Sequence, residues 1–215
     1  MPFDRECLLF VIPLALVAIV LLAFGLVKSA MVALGLAAFV LFFFRDPQRV
    51  IPADESLIIS PADGRVIRID TAYQSQDHPQ GSVCVSIFLS IFNVHVQRAP
   101  IAGVVDSKKY HSGSFLAAWN HKASEDNEHN LTIFDTAIGK VGVKQIAGLV
   151  ARRVVTRVSV GQALAKGEHI GLIRFGSRVD LILPPGMDLI SKLGDKVKGG
   201  ESVMARIPAD RLKNG

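Results

Sequence analysis

The stretch Val83-Cys84-Val85-Ser86-Ile87-Phe88-Leu89 decides the fold class of this 215-residue chain. It is rich in β-branched and aromatic side chains and follows a glycine at position 81, which is the pattern of a buried strand. Shorter runs of the same kind recur at 66–69, 103–105, 131–134, 141–143, 154–158 and 181–183. Helical periodicity is scarce between them, so the chain from residue 57 onward is predicted to be mainly β, as a barrel or sandwich.

A glycine pattern in the C-terminal third is repeated once, at a spacing of about 33 residues. The first copy is Gly161-Gln-Ala-Leu-Ala-Lys-Gly167-Glu-His-Ile170, and the second is Gly194-Asp-Lys-Val-Lys-Gly-Gly200-Glu-Ser-Val203. Each copy predicts a turn, a corner at Lys and Gly, and an apolar strand. The pattern resembles the glycine turns of biotinyl and lipoyl carrier domains, which are small β-sandwiches.

The N-terminal segment is apolar and predicts a membrane anchor. Between Cys7 and Phe44 the only charged residue is Lys28. Two apolar helices are expected, at about 8–27 and 30–44, and the first is long enough to cross a bilayer. The pair either spans the membrane as a hairpin or dips into one leaflet. We therefore divide the chain into an anchor, 1–49, and a β-rich domain, 50–215.

The charges that flank the two apolar helices predict the side of the membrane on which the domain lies. Arg5 precedes the pair and Arg45 and Arg49 follow it, whereas the turn between the helices carries Lys28 alone. Cytoplasmic flanks carry the excess of positive charge. The domain is therefore expected on the cytoplasmic side of the cell (inner) membrane.

Composition narrows the classes of partner and cofactor. Cys7 and Cys84 lie in different regions and predict no disulfide framework. The net charge of +5 is not gathered into dense basic clusters, which argues against nucleic acid and fits an anionic membrane surface. His111, His121 and His129 lie at no convincing zinc spacing, so no metal is expected. There is no nucleotide-binding glycine motif.

Three distant residues could activate a hydroxyl group: Ser177, His95 and Asp63. Alone, each is more typical of a turn or of a buried core residue. Together they are the ingredients of a serine nucleophile with its base. If the Ser177 hydroxyl attacks the carbonyl of Gly176, the chain cuts itself. The second glycine of the Gly-x-Ser-x-Gly elbow is missing, which argues against a serine hydrolase.

Five motifs, in order along the chain, give this sequence its resemblance to a known family. They are Phe43-Phe-Arg-Asp-Pro47, Ser60-Pro-Ala-Asp-Gly64, Phe92-Asn-Val-His95 with Arg98-Ala-Pro100, Lys122-Ala-Ser-Glu125 with Asn127-Glu128, and Arg174-Phe-Gly-Ser177. Together they resemble the short form of phosphatidylserine decarboxylase, from the membrane segment to the last strands. Two positions differ from the wider family: Phe-Gly-Ser-Arg stands where longer members have Leu-Gly-Ser-Thr, and His129 follows Asn-Glu in place of arginine.

The resemblance implies that the chain makes its own cofactor. His95, oriented by Asp63, would deprotonate Ser177, which would attack Gly176 to give an ester. Elimination would leave dehydroalanine, and its hydrolysis would release ammonia and leave a pyruvoyl group at position 177. The products would be a large membrane-bound β chain, 1–176, and a small α chain from 177. They would form a heterodimer, with further dimerisation left open.

The resemblance also implies the reaction, decarboxylation of phosphatidylserine to phosphatidylethanolamine and carbon dioxide in phospholipid biosynthesis. The pyruvoyl ketone would form a Schiff base with the substrate amine and act as the electron sink, so that neither pyridoxal phosphate nor a metal is needed. His95 would return a proton to the carbanion. Arg98, Lys122 and Arg178 are candidate headgroup ligands by charge and motif position. The alternative is a membrane-anchored carrier or adaptor domain of the biotinyl or lipoyl type, without catalysis.

Overall fold

The structure is a computed structural model that describes residues 3–113, 127–148, 153–174 and 177–211. The chain divides into two compact units, Met1–Gln48 and Arg49–Gly215. Of the residues named above, His121, the motif Lys122-Ala-Ser-Glu125, Phe175 and Gly176 lie outside the described ranges.

The first unit is a pair of apolar helices. A 3-10 turn, Arg5–Cys7, leads into α1, Leu8–Ala23, and α2 follows at Val27–Phe43. Among the described residues, one helical stretch, Arg5–Ala23, is long and apolar enough to cross a membrane, and α2 is shorter. Many of the large apolar side chains of both helices are exposed, as is required of a surface that faces lipid.

The turn between the helices falls earlier than Lys28, which lies in the first turn of α2. It is built on Gly25, whose φ of 72° closes α1. The Gly25 amide donates to the Leu22 carbonyl at 2.9 Å, and the Leu26 amide donates to the Leu21 carbonyl at 2.8 Å. These two bonds form a Schellman motif, which satisfies carbonyl groups at the end of a helix.

The second unit is mainly β, which confirms the predicted fold class. In its described part the strands are β1 Leu57–Ile59, β2 Gly64–Tyr73, β3 Ser82–Leu89, β4 Val96–Arg98, β5 Gly103–His111, β6 His129–Thr136, β7 Gly139–Ala147, β8 Val154–Thr156, β9 Ala163–Leu164, β10 His169–Ile173, β11 Ser177–Leu183, β12 Asp188–Leu189, β13 Lys196–Val197 and β14 Val203–Arg206. Eight of these strands form one antiparallel sheet, in the order β13-β2-β3-β11-β7-β6-β5-β9. Two three-stranded sheets accompany it, β1-β14-β12 and β4-β10-β8.

The repeated glycine pattern is confirmed as a repeated local structure. Gly161 and Gly194 have φ values of 84° and 91°, and Gly167 and Gly200 have values of 86° and 85°. Residues other than glycine rarely adopt a positive φ, so each of these glycines turns the chain where the pattern predicted a turn. A two-residue strand and a longer strand follow in both copies, as β9 and β10 and as β13 and β14.

The core lies against one face of the large sheet. On β11 the side chains of Val179, Leu181 and Leu183 point to this face and are fully buried. Residues at every second position share a face, so Ser177 also points inward at the start of the strand. Burying one large apolar side chain stabilises the fold by about 1.5–3 kcal/mol. A serine in this row therefore contributes little to packing.

Candidate active site

The ends of several strands meet at one end of the large sheet. Ser177, the first residue of β11, lies opposite Leu89 at the end of β3 and opposite Ala147 at the end of β7. Because β2 pairs antiparallel with β3, the start of β2 lies at the same end, and Asp63 immediately precedes it. The register therefore brings Asp63 and Ser177, 114 positions apart in the sequence, to one end of one sheet.

Ser177 is fully buried, with a relative exposure of 0%. Its Oγ has no hydrogen-bond partner among the residues that the structure describes. A buried hydroxyl without a partner costs about 1–3 kcal/mol, so such groups are rare. Phe175 and Gly176, which precede Ser177 in the chain, lie outside the described ranges.

His95 is buried beside the segment that leads to Ser177. Its carbonyl accepts a hydrogen bond of 3.3 Å from the amide of Ile173, the last residue of β10. Its ring Nδ1 lies 2.9 Å from the carbonyl oxygen of Asn93. A carbonyl can only accept, so Nδ1 carries the proton of the neutral ring and Nε2 is the basic atom.

A chain of buried amides and a hydroxyl fixes the backbone of His95. The Gln97 Nε2 donates to the His95 carbonyl at 2.7 Å, and the Gln145 Nε2 donates to the Gln97 Oε1 at 2.8 Å. The Thr156 Oγ1 completes the chain by donating to the Gln145 Oε1 at 2.8 Å. This relay joins β4, β7 and β8, and Gln145 shares the inward face with Ser177. Sequence reasoning missed it, and its one signal was glutamine within strand-like runs.

Asp63 is held by an arginine that sequence reasoning did not assign to the site. The Arg49 Nη2 contacts both carboxylate oxygens, at 2.8 and 3.0 Å, and the amide of Gly199 donates to Oδ1 at 2.8 Å. Within the described ranges these are the hydrogen-bond partners of Asp63, and His95 is not one of them. The side chain of Arg49 also lies 3.8 Å from Glu201.

Asn127 and Glu128 hold Ala147, the strand neighbour of Ser177. The Asn127 Nδ2 donates to the Ala147 carbonyl at 2.7 Å, and the Ala147 amide donates to the Glu128 carbonyl at 2.9 Å. The Glu128 Oε1 accepts from the amide of Val154 at 3.1 Å. This motif pair therefore orders the strand end that lies beside Ser177.

His129, the position that differs from the family pattern, begins β6 on the outer face of the sheet. Its ring stacks on that of His111 with centroids 4.9 Å apart, and its Nδ1 lies 2.8 Å from the Asn127 carbonyl. Burial and, to a smaller extent, the positive charge of Lys144 lower its pKa to about 4. The ring is therefore neutral at neutral pH.

The candidate headgroup ligands are in different surroundings. Arg98 donates from Nη1 to the Gly167 carbonyl at 3.1 Å and lines a cleft of about 520 Å³ with Lys166 and His169. Arg178 is buried, and its guanidinium is engaged by Asp180 and Ser86. Lys122 lies outside the described ranges. Neither Arg98 nor Arg178 lines a second cleft, which adjoins the strand ends.

That cleft has a volume of about 630 Å³ and opens where β2, β3 and β13 meet. Asp63 lines it, together with Ser90 and Asn93 from the loop after β3. Asn93 is the residue whose carbonyl holds the His95 ring. No group of three or more metal-ligating His, Cys, Asp or Glu side chains occurs within the described ranges.

A family model and the similar proteins compared with this chain all carry the same family description. The family model described as phosphatidylserine decarboxylase matches residues 36–205. A phosphatidylserine decarboxylase proenzyme from Azorhizobium caulinodans is 44% identical over 207 residues, which cover 95% of this chain and 88% of the relative. The proenzyme from Chlorobaculum tepidum is 43% identical over 185 residues, which cover 85% and 84%. That from Xanthobacter autotrophicus is 41% identical over 213 residues, which cover 98% and 91%.

Proposed function

The chain belongs to the phosphatidylserine decarboxylase family and is a decarboxylase, and we propose that it matures by cutting its own bond between Gly176 and Ser177. The observation that carries this proposal is the Ser177 hydroxyl, which is buried at a strand start without a hydrogen-bond partner among the described residues. A hydroxyl that contributes neither packing nor a hydrogen bond is suited to a chemical role. The relatives are named as proenzymes, which supports a maturation step.

In the proposed cleavage, the Ser177 Oγ attacks the carbonyl carbon of Gly176 and gives its proton to the Nε2 of His95. The C–N bond breaks, its nitrogen takes a proton, and an ester joins the two residues. Loss of the Ser177 Cα proton then breaks the Cβ–Oγ bond and releases the Gly176 carboxylate. Water adds to the resulting dehydroamino end, ammonia leaves, and a pyruvoyl group remains at position 177.

The residues around position 177 fit a small ketone at that place. The inward face there is bordered by Leu89 and Ala147, which are fully buried and exclude water, and Gln145 lies two positions further along the same face. When formed, the pyruvoyl group supplies an electron sink for the electrons that are released with carbon dioxide. His95 then has the second task of returning a proton to the product.

Asp63 is proposed to assist His95 through the cleft that both adjoin. It lines the cleft beside Asn93, whose carbonyl fixes the His95 ring. Its carboxylate is fixed near the strand ends by the Gly199 amide and by Arg49, which offsets part of its negative charge. A fixed carboxylate stabilises the imidazolium that forms during proton transfer.

The remaining elements of the proposal concern the lipid and the two products of cleavage. The large β chain, 1–176, keeps the apolar helices and the small α chain begins at 177, and the two stay together as a heterodimer because β11 pairs with both β3 and β7. A membrane-associated anchor holds the active site near the lipid headgroups, with the domain on the cytoplasmic side. Because the chain is an enzyme, the alternative of a carrier domain without catalysis is set aside.

Intact-mass measurement of the purified full chain tests the proposal. The wild-type chain should give two species, divided after residue 176, with a carbonyl-reactive end at 177. Ser177→Ala should give a single uncut chain of 23.2 kDa without decarboxylase activity. The matched control is Ser191→Ala, since Ser191 is also a buried serine whose Oγ has no partner in the described ranges. An uncut wild-type chain that decarboxylates its lipid would contradict the proposal.

A further inference from the structure

The cleft beside the strand ends is lined mainly by positive charge. Its lining residues are Asp63, Gly64, Arg65, Phe88, Ser90, Asn93, Lys196, Val197 and Lys198. Three of these are exposed cations, of which Lys198 lies 3.7 Å from Glu201, and the one carboxylate, Asp63, is paired with Arg49. The charge that the cleft presents to a ligand is therefore positive.

The sheet places two of these cations directly opposite each other. Lys196 on β13 is the cross-strand partner of Arg65 on β2. Like charges at directly opposed positions destabilise a sheet. Within the described ranges neither side chain takes part in an ion pair that would relieve this repulsion. Such an arrangement is stabilised by a bound anion.

The cleft adjoins the proposed reaction centre through two short links. Phe88, which lines the cleft, is the cross-strand partner of Arg65 and precedes Leu89, the partner of Ser177. Asn93, which also lines it, holds the ring of His95 by its carbonyl. The cleft is therefore linked to the strand end that carries Ser177 through the neighbouring row of side chains, which point to the opposite face, and to the base through the Asn93 hydrogen bond.

We propose that this cleft binds the phosphodiester of the lipid headgroup, through Arg65, Lys196 and Lys198. This inference rests on the proposed function. Charged donors make the strongest hydrogen bonds to phosphate, and Ser90 and Asn93 add neutral groups at the same wall. The site differs from the ligands that motif position alone favoured, of which Arg98 lines another cleft and Arg178 is buried.

The positive charge also distinguishes substrate from product. The phosphatidylserine headgroup carries one phosphate, one carboxylate and one ammonium, whereas phosphatidylethanolamine has lost the carboxylate. The substrate headgroup is therefore more negative by one charge, and a cationic cleft holds it more tightly than the product. Binding of substrate should accordingly weaken as ionic strength rises.

The test is a pair of charge-matched double variants of the full chain, assayed in mixed micelles of detergent and phosphatidylserine. R65A/K196A removes the opposed cations of the cleft. R68A/K192A removes the same two charges from neighbouring positions that do not line it. We expect R65A/K196A to cut itself as the wild type does and its KM to rise by about tenfold or more, since bonds to charged groups are lost. R68A/K192A should keep the wild-type KM.

Equal KM values in the two double variants would overturn the proposal. Glycerophosphoserine, a headgroup without acyl chains, distinguishes the substrate's phosphate from that of a neighbouring anionic lipid. Its inhibition constant should rise in R65A/K196A by about the same factor as KM. If that constant is unchanged and only binding to phosphatidylglycerol vesicles falls, the substrate assignment is wrong. The state of the Gly176–Ser177 bond is read separately by mass, so failure of the maturation proposal leaves this comparison of KM values valid.

Discussion

The two faces of β11 use polar side chains in opposite ways. On the outer face the buried guanidinium of Arg178 makes three hydrogen bonds. Its Nε and Nη2 donate to Asp180 at 2.6 and 3.0 Å, and Nη2 also donates to Ser86 at 2.7 Å. On the inner face the preceding residue, Ser177, is equally buried, and its hydroxyl has no partner in the described ranges. One residue along the strand thus separates a group used for structure from the group to which we assign the reaction.

The cost of burying each group explains why the two faces can differ. A buried guanidinium must be paired, because an uncompensated charge in the interior is costly. A lone hydroxyl costs less, and the surrounding apolar core can offset that cost. The outer face therefore supports the strand whose inner face carries Ser177, the proposed reactive group. Changes to the outer face should affect folding, whereas changes to the inner face should affect maturation.

A substitution on the outer face should give the largest loss of stability. Asp180→Ala leaves the Arg178 guanidinium buried without its carboxylate and should lower the free energy of unfolding by about 3–5 kcal/mol. Denaturant unfolding in detergent, in the uncut Ser177→Ala background, measures it. The double change Arg178→Met with Asp180→Leu removes both charges and should recover most of the loss. A double variant as unstable as Asp180→Ala would contradict the pairing argument.

A substitution in the relay on the inner face should lower stability by less and should also slow maturation. Gln145→Leu leaves Gln97 and Thr156 without their shared partner and should cost about 1–3 kcal/mol. It should also slow self-cleavage, because the His95 carbonyl loses part of its support. The rate of appearance of the small chain by mass, in a chain with wild-type Ser177, measures this.

The matched control for the relay is Gln162→Leu. Gln162 accepts from the Ser159 amide at 3.0 Å and is exposed, so its loss should change neither stability nor cleavage by much. If Gln145→Leu cuts itself at the wild-type rate while losing stability, the relay serves packing alone.

The local features of the fold were predictable from the sequence. The strand predicted at 83–89 is β3, Ser82–Leu89, because β-branched residues within seven positions are a local signal. The glycines of the repeat also signal their turns locally, since positive φ favours glycine wherever it occurs. The turn between the helices is an exception: the charge of Lys28 predicts it too late, whereas Gly25, a residue type typical of the Schellman motif, marks the end of the first helix.

The contacts that build the candidate site could not be predicted from local patterns. Arg49 meets Asp63 across 14 positions, and Gln145 meets Gln97 across 48. Both pairs depend on the path and register of several strands, and neither residue type announces its partner. The opposed cations Arg65 and Lys196 likewise become visible only when β13 is placed beside β2. Sequence motifs identified Ser177, His95 and Asp63, whereas the structure supplied what surrounds them.

The smallest change is expected in how the free energy of unfolding depends on pH. It involves His129, which lies on the outer face in the same cross-strand row as Arg178 and Ile146. The pKa of His129 is lowered to about 4 by burial, by Lys144 and by His111, against about 6.5 in an unfolded chain. Between these pH values the unfolded chain binds more protons than the folded one. The free energy of unfolding should therefore fall as the pH drops from about 6.5 to about 4.

The loss that His129 causes over this range should be about 1–2 kcal/mol, because the ring is only half-buried and solvent screens it. Unfolding of the uncut Ser177→Ala chain is measured at several pH values, with and without His129→Gln. The variant should lose this part of the pH dependence, whereas His169→Gln, on an exposed position of β10, should retain it. If His129→Gln is destabilised on acidification as much as the parent, the acid sensitivity comes from other groups, and His129 does not titrate in the way its lowered pKa predicts.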